Sequence, residues 1–131
     1  MSAVIEIKSV AEFEDLVVAT GRAALVDFWA GWCGPCKAMA PHFEAVAQDV
    51  GEPLLFCKVD TEAVPELARA FNIRSMPTVV ALVGPKVVDV HVGLAMQPAL
   101  TALAHRTLKK AGLPLPEGAK KPGFLRGLFG A

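Results

Sequence analysis

The stretch Phe28-Trp29-Ala30-Gly31-Trp32-Cys33-Gly34-Pro35-Cys36-Lys37 governs how the rest of the chain is read. Upstream, Ala23 to Ala30 is apolar apart from Asp27, the pattern of a strand covered on both faces. Downstream, residues from about 36 to 50 read as a helix, with Pro41 an expected kink inside it. Two cysteines three apart at the first turn of such a helix share a face. They lie roughly 5–6 Å apart, within disulfide reach. The helix N-terminus supplies unpaired N–H groups and positive potential, which favour the thiolate on the outer residue, Cys33. Only a thiolate attacks a disulfide, so this placement activates Cys33 near neutral pH. Cys36, one turn further in, is expected to be more buried and to attack second. Pro35 costs little, because its missing N–H would be unpaired anyway.

A metal site is the competing reading of a close cysteine pair. Four-coordinate zinc needs two further ligands, and His42, His91 and His105 are scattered without ligand spacing. No metal is expected, and the histidines are assigned no function. His42 and His105 are placed on partly exposed helix faces and His91 on an exterior strand. Cys57, the third thiol, should point away from the strand face that carries Lys58, and so away from Asp27. It reads as a buried core residue.

Outward from the cysteines the elements alternate. Val4 to Ile7 is a short strand, and Ser9 with Glu12 forms a capping box that opens a helix carrying Phe13, Leu16 and Val17 on one face. Gly21 closes it. Leu54 to Val59 is a strand, and Glu62 to Phe71 a helix with an early Pro65. Thr78 to Val83 and Val87 to Val92 are strands joined closely enough by Gly84-Pro85-Lys86 for an antiparallel hairpin. Leu100, Leu103, Ala104, Leu108 and Ala111 recur at helical spacing, with Gly112 as the stop. The order β-α-β-α-β-α-β-β-α predicts one α/β domain over residues 1–111, a mixed central sheet with helices on both faces. Residues 112–131 do not fit this core, since eight of the twenty are Gly or Pro, and they read as a flexible tail.

Composition narrows the function. The 131 residues fit one domain, with 13 basic and 13 acidic side chains and a pI near 6.8. No basic excess exists to neutralise phosphates, so nucleic acid is not an expected partner. The acidic residues Glu6, Glu12, Glu14 and Asp15 near the start oppose a secretory signal, and no apolar run is long enough to span a membrane. The expectation is a cytoplasmic, monomeric protein, in a compartment where a close cysteine pair is redox-active rather than structural.

The quoted stretch, followed by Pro41, resembles the active-site segment of thioredoxins. The similarity continues in Lys58-Val59-Asp60, Ser75-Met76-Pro77-Thr78 and Val92-Gly93, and covers residues 1 to about 111. The resemblance implies a thioredoxin fold and a protein thiol–disulfide oxidoreductase. Cys33 would be the nucleophile and Cys36 the resolving thiol, alternating between a dithiol and a Cys33–Cys36 disulfide. Asp27 would be the buried carboxyl that accepts the Cys36 proton, its pKa raised by the apolar strand, with Lys58 as its partner. Pro77 would be a cis-proline facing the cysteines. Substrate would dock on Trp32, Gly34, Pro35, Met76, Val92, Gly93 and Leu94. Ser75, Met76 and Leu94 depart from the smaller or β-branched residues usual in the family, which bears on the choice of partner.

The Gly34-Pro35 pair resembles that of reducing members. The implied partners are disulfide-containing client proteins and a thioredoxin reductase supplying electrons from NADPH, with no cofactor bound to this chain. An alternative is an interaction module, a co-chaperone or assembly factor in which redox chemistry is secondary. An exported oxidant is disfavoured by the acidic start. The tail carries +2 against −2 for the remainder, and Phe124, Leu125, Leu128 and Phe129 would share one side if helical. It reads as a flexible end, or else as a short docking element for a partner, a membrane surface or the domain itself.

Overall fold

A computed structural model describes residues 2–116. The chain runs β1 (Ile5–Ile7), α1 (Val10–Phe13, continued by a π-helical turn Glu14–Val18), β2 (Ala23–Trp29), α2 (Gly34–Val50), β3 (Leu55–Asp60), α3 (Pro65–Ala70), β4 (Thr78–Val83), β5 (Lys86–Val92) and α4 (Gln97–Lys110). The five strands form one sheet in the order β1-β3-β2-β4-β5. β3 pairs in parallel with β1 and β2, whereas β4 and β5 are antiparallel to their neighbours. This is the expected thioredoxin fold, with a parallel half, a hairpin and a closing helix.

Alternation along the strands builds two apolar layers. On one face Leu25, Phe56, Val79 and Ala81 meet Met39, Phe43 and Val46 of α2 and Leu100, Leu103 and Leu108 of α4. On the other, Val26, Phe28, Cys57 and Val80 meet Phe13 and Val17 of the first helix and Leu67 of α3. Burying both faces of β2 explains its near-continuous apolar run. Asp27 points into the α2 side.

Several boundaries differ from the sequence expectation for identifiable reasons. α3 begins at Pro65 rather than Glu62, because the residue before a proline is pushed out of the helical region; Val64 has φ −129° and ψ 66°. The intervening residues form a turn in which Asp60 Oδ1 accepts Glu62 N–H at 2.9 Å. α2 begins two residues early and runs unbroken through Pro41. The capping box at Ser9 is present: Ser9 Oγ accepts from Glu12 N–H at 3.0 Å, and Lys8 N–H donates to Glu12 Oε1 at 2.7 Å. The helix it opens widens into a π turn, closed by Ala19 N–H on Glu14 O at 2.7 Å. β5 starts at Lys86, so the hairpin loop is only Gly84-Pro85. Gly84 has φ +57°, which strains any other residue, and a Cβ there would press on Gly21 Cα at 3.2 Å.

Leu113 and Leu115, which the sequence reading puts in the tail, are half-buried against the α2/α4 core. Residues 117–131, including Phe124, Leu125, Leu128 and Phe129, lie outside the described part. Among the described residues no helix is long and apolar enough to cross a membrane.

Candidate active site

Cys33 sits where β2 ends and α2 begins, with its N–H on Ala30 O at 3.1 Å. It is the N-cap of α2, not a residue of its first turn: φ is −87°, ψ is 110°, and its sulfur accepts the Cys36 N–H at 3.2 Å. Cysteine here takes the capping role usually filled by a Ser or Asp oxygen. The negative charge of a thiolate would therefore fall on an atom already hydrogen-bonded to the backbone at the positive end of a 17-residue helix. Gly34 and Pro35 occupy the first helical positions, where no N–H is needed, and both are exposed.

Cys33 and Cys36 form a disulfide, with Cα atoms 5.3 Å apart. Both are buried to nearly the same extent, 3% and 4% exposed, so the expected greater burial of Cys36 is not found. Cys33 is closed in by a chain segment distant in sequence: its sulfur lies 3.6 Å from Met76 O, and Trp29 and Met76 pack on the pair. The Met76–Pro77 peptide is cis, as the resemblance implied; Glu52–Pro53 is also cis and was not expected. Pro77 is buried, and its carbonyl accepts Gly93 N–H at 2.8 Å. This bond joins the Met76-Pro77 loop to the Val92-Gly93-Leu94 segment. Gly93 has φ +98°, a conformation glycine adopts without strain.

Around the cysteines Trp32 (67% exposed), Val92 (63%) and Leu94 stand out as exposed large apolar side chains, with Met76 half-buried between. Met96 is exposed as well and was not foreseen. Trp32 is held from an unforeseen quarter, its Nε1–H donating to Glu62 Oε2 at 3.1 Å. Their separation of thirty positions hides this pair from any local reading of the sequence.

Behind the disulfide a cleft of about 140 Å³ is lined by Asp27, Trp29, Cys36, Lys37, Ala40 and Lys58. It brings together three of the expected site residues. Asp27 and Lys58 are register partners on β2 and β3, so their side chains leave the sheet on the same face. Burial pushes the Asp27 carboxyl up from 3.8 to about 7, with the Lys58 ammonium opposing part of that rise. Lys58 Nζ also lies 5.9 Å from the centre of the Trp29 ring. Asp27 Oδ1 and Trp29 Nε1 are the two buried side-chain polar atoms without a hydrogen-bond partner among the described residues, and both belong to residues lining this cleft. Trp29 is thus a part of the site that was missed, although its place in Phe28-Trp29-Ala30 was a usable signal.

The other sequence candidates stand apart. Cys57 is fully buried on the opposite face of the sheet, as expected, and burial raises its thiol to about 12. His42, His91 and His105 are half-buried and not grouped. Among the described residues no cluster of three or more His, Cys, Asp or Glu is arranged to hold a metal ion.

Comparison with known proteins places this geometry in context. The thioredoxin family model matches residues 4–106. Thioredoxin of Griffithsia pacifica is 41% identical over 98 residues, covering 75% of this chain and 86% of that protein. Thioredoxin C-3 of Corynebacterium nephridii is 49% identical over 70 residues, 53% of this chain, which thus spans about half that relative's length (48%). The crystal structure of Malassezia sympodialis thioredoxin (Mala s 13) superposes with a TM-score of 0.73 at 31% identity, covering 82% of this chain and 93% of the other. With a matched model over most of its length and a Cys33–Cys36 disulfide at the head of α2, this chain belongs to the thioredoxin family.

Proposed function

We propose that the protein is a general protein-disulfide reductant that works by dithiol–disulfide exchange through Cys33 and Cys36. The observation that carries this reading is the position of Cys33 Sγ, N-cap of α2 and acceptor of the Cys36 N–H. The Cys33 thiolate attacks one sulfur of a client disulfide, forming a mixed disulfide and expelling the client's other sulfur as a thiolate that takes a proton. Asp27, deprotonated, accepts the Cys36 proton through water in the cleft, and the Cys36 thiolate then attacks Cys33 Sγ. The client's second sulfur leaves and is protonated. The client has gained two electrons and two protons, and the protein holds the Cys33–Cys36 disulfide.

Lys58 holds the Asp27 carboxyl in a titratable range near neutrality. Pro77 and Met76 place a backbone carbonyl beside Cys33, ready to bond an extended client segment. Trp32, Gly34, Pro35, Val92, Gly93 and Leu94 complete the docking rim. A thioredoxin reductase returns two electrons from NADPH, with no cofactor bound to this chain. The setting is cytoplasmic electron transport that maintains cell redox balance, with the protein acting as a monomer. Residues 1–111 form the catalytic domain and 112–131 an extension, of which Leu113 and Leu115 pack back on the core. The alternative of a binding module with secondary redox chemistry has no observation that favours it.

The test is turnover of a disulfide-containing protein with NADPH and a thioredoxin reductase. Wild-type protein is expected to sustain NADPH oxidation and Cys33→Ser to abolish it. A Cys33→Ser/Cys36→Ser variant that kept full biological activity would instead establish the binding module.

A further inference from the structure

β5 stands at the edge of the sheet, so one side of its backbone has no strand beside it. Which groups face outward follows from the ladder. Gly93 N–H bonds Pro77 O at 2.8 Å, and pairs along an antiparallel ladder alternate between bonded and non-bonded. The pairs Thr78–Val92 and Val80–Val90 are the non-bonded ones, so Val90 and Val92 turn their N–H and C=O to the open edge. Val87, Val90 and Val92 also carry exposed apolar side chains. An apolar edge strand of this kind is a template for the addition of another strand.

Two backbone groups of this edge are already taken by side chains. Asp89 Oδ1 accepts the Val90 N–H at 2.9 Å, and Lys110 Nζ of α4 donates to Val88 O at 2.9 Å. Both side chains are held in place: Arg106 Nε donates to Asp89 Oδ2 at 3.1 Å, and Lys110 Nζ lies 3.6 Å from the same oxygen. A bulge completes the arrangement. Ala81 pairs with Asp89 and Leu82 with Val87, which makes Val88 the extra residue, its side chain packed on the α4 core. Consider two copies meeting edge to edge about a two-fold axis at Val90. The Val90 N–H of each would bond Val90 O of the other, and the Val92 N–H would bond Val88 O. Asp89 Oδ1 and Lys110 Nζ occupy two of the groups this pairing needs. The same pairing would lay the exposed valine faces of the two copies side by side.

We propose that Asp89, Arg106 and Lys110 form a guard that closes the β5 edge, and that the partner it excludes is β5 of a second copy of this chain. The guard works by occupancy: an approaching strand finds no free donor at Val90 and no free acceptor at Val88. Arg106 has no edge group of its own and serves to position Asp89. Val92 belongs both to this edge and to the rim around Cys33, so an open edge would bury part of the client surface. That consequence rests on the reductase reading, whereas the guard itself does not.

The experiment is sedimentation equilibrium with amide hydrogen exchange on the full, oxidised chain at rising protein concentration. Wild-type protein is expected to keep the monomer mass throughout. Asp89→Ala/Lys110→Met removes one charge of each sign, so net charge is unchanged, and the loss of exposed ion pairs should leave the fold intact. This variant should double its mass as concentration rises, with exchange slowed at the Val90 and Val92 amides and unchanged in β1 at the opposite edge. Asp89→Asn/Lys110→Arg keeps an acceptor and a donor and should stay monomeric. A first variant that folds and remains monomeric overturns the proposal. So does a dimer in which the Val90 and Val92 amides exchange as fast as in the monomer, or a wild-type chain that already pairs through β5. Should the first variant fail to fold, Lys110→Met alone frees Val88 O at a side chain 46% exposed, and a monomer there overturns the guard equally. Because no turnover is measured, failure here leaves the reductase reading untouched.

Discussion

Asp27 and Cys57 are both buried titratable groups on adjacent central strands, yet only one lines a cleft with the Cys33–Cys36 disulfide. Asp27 pairs in register with Lys58, and Cys57, one residue earlier, faces the opposite layer. Burial raises both, Asp27 to about 7 and Cys57 to about 12. The difference lies in what surrounds them. Asp27 opens on a cleft it shares with Cys36 and Lys58, whose cation limits the rise. Cys57 is enclosed by Ile7, Val26, Val59 and the helices above them. The same desolvation therefore creates a group poised near neutrality on one face and an inert thiol on the other.

The largest effect should come from the thiols themselves. Cys36→Ser should end turnover and accumulate a mixed disulfide on Cys33, visible as a client adduct on a non-reducing gel. Cys57→Ala should leave turnover intact, and a loss there would erase the contrast between the two faces.

Next in size is Asp27→Asn, expected to slow client reduction at pH 7 by about 100-fold, the low end of general acid–base contributions. The same variant should be more stable than wild type at neutral pH. The folded state holds the Asp27 proton up to about 7, whereas the unfolded chain releases it near 3.8. Between those values the folded state binds more protons, so wild-type stability falls as pH rises, by about 4 kcal/mol, and levels off above 7. Denaturant midpoints across pH 4 to 8 for both proteins check this. Parallel curves would mean that Asp27 is not held in a desolvated site.

Lys58→Met sharpens the comparison from the other partner. Removing the cation that opposes burial should raise the Asp27 pKa further, moving the pH at which reduction becomes efficient upward; carboxyl carbon NMR reads the shift directly. The smallest effect is at Cys57. Cys57→Ala should cost about 1–2 kcal/mol from the small cavity it leaves, with rates unchanged. In the native protein Cys57 should resist iodoacetamide at neutral pH, because its thiol is almost wholly protonated.

Much of this architecture is legible in residues alone. The apolar run around Asp27, the capping box at Ser9 and the Gly84-Pro85 turn carry local signals that tertiary packing does not override. The cysteine spacing marks the site because a helix start and two thiols suffice to define it. What escapes is what depends on partners far along the chain. Trp32 meets Glu62, and Met76 closes over Cys33, which is why the two cysteines are equally shielded. α3 starts at Pro65 rather than Glu62, because Pro65 keeps Val64 out of the helical region. The π turn at Glu14–Val18 has no sequence signal, since these residues suit an ordinary helix as well. The bulge at Val88 is likewise silent, and with it the apolar face of β5.

The most direct measurement is the equilibrium reduction potential of the Cys33–Cys36 pair, titrated in defined thiol–disulfide buffers. The reductase reading requires the pair to titrate at a potential more negative than the cytosolic glutathione pool, about −220 to −260 mV by extraction. A potential well above that pool, or no titratable pair, would contradict the account and make the protein an oxidant or a binding module.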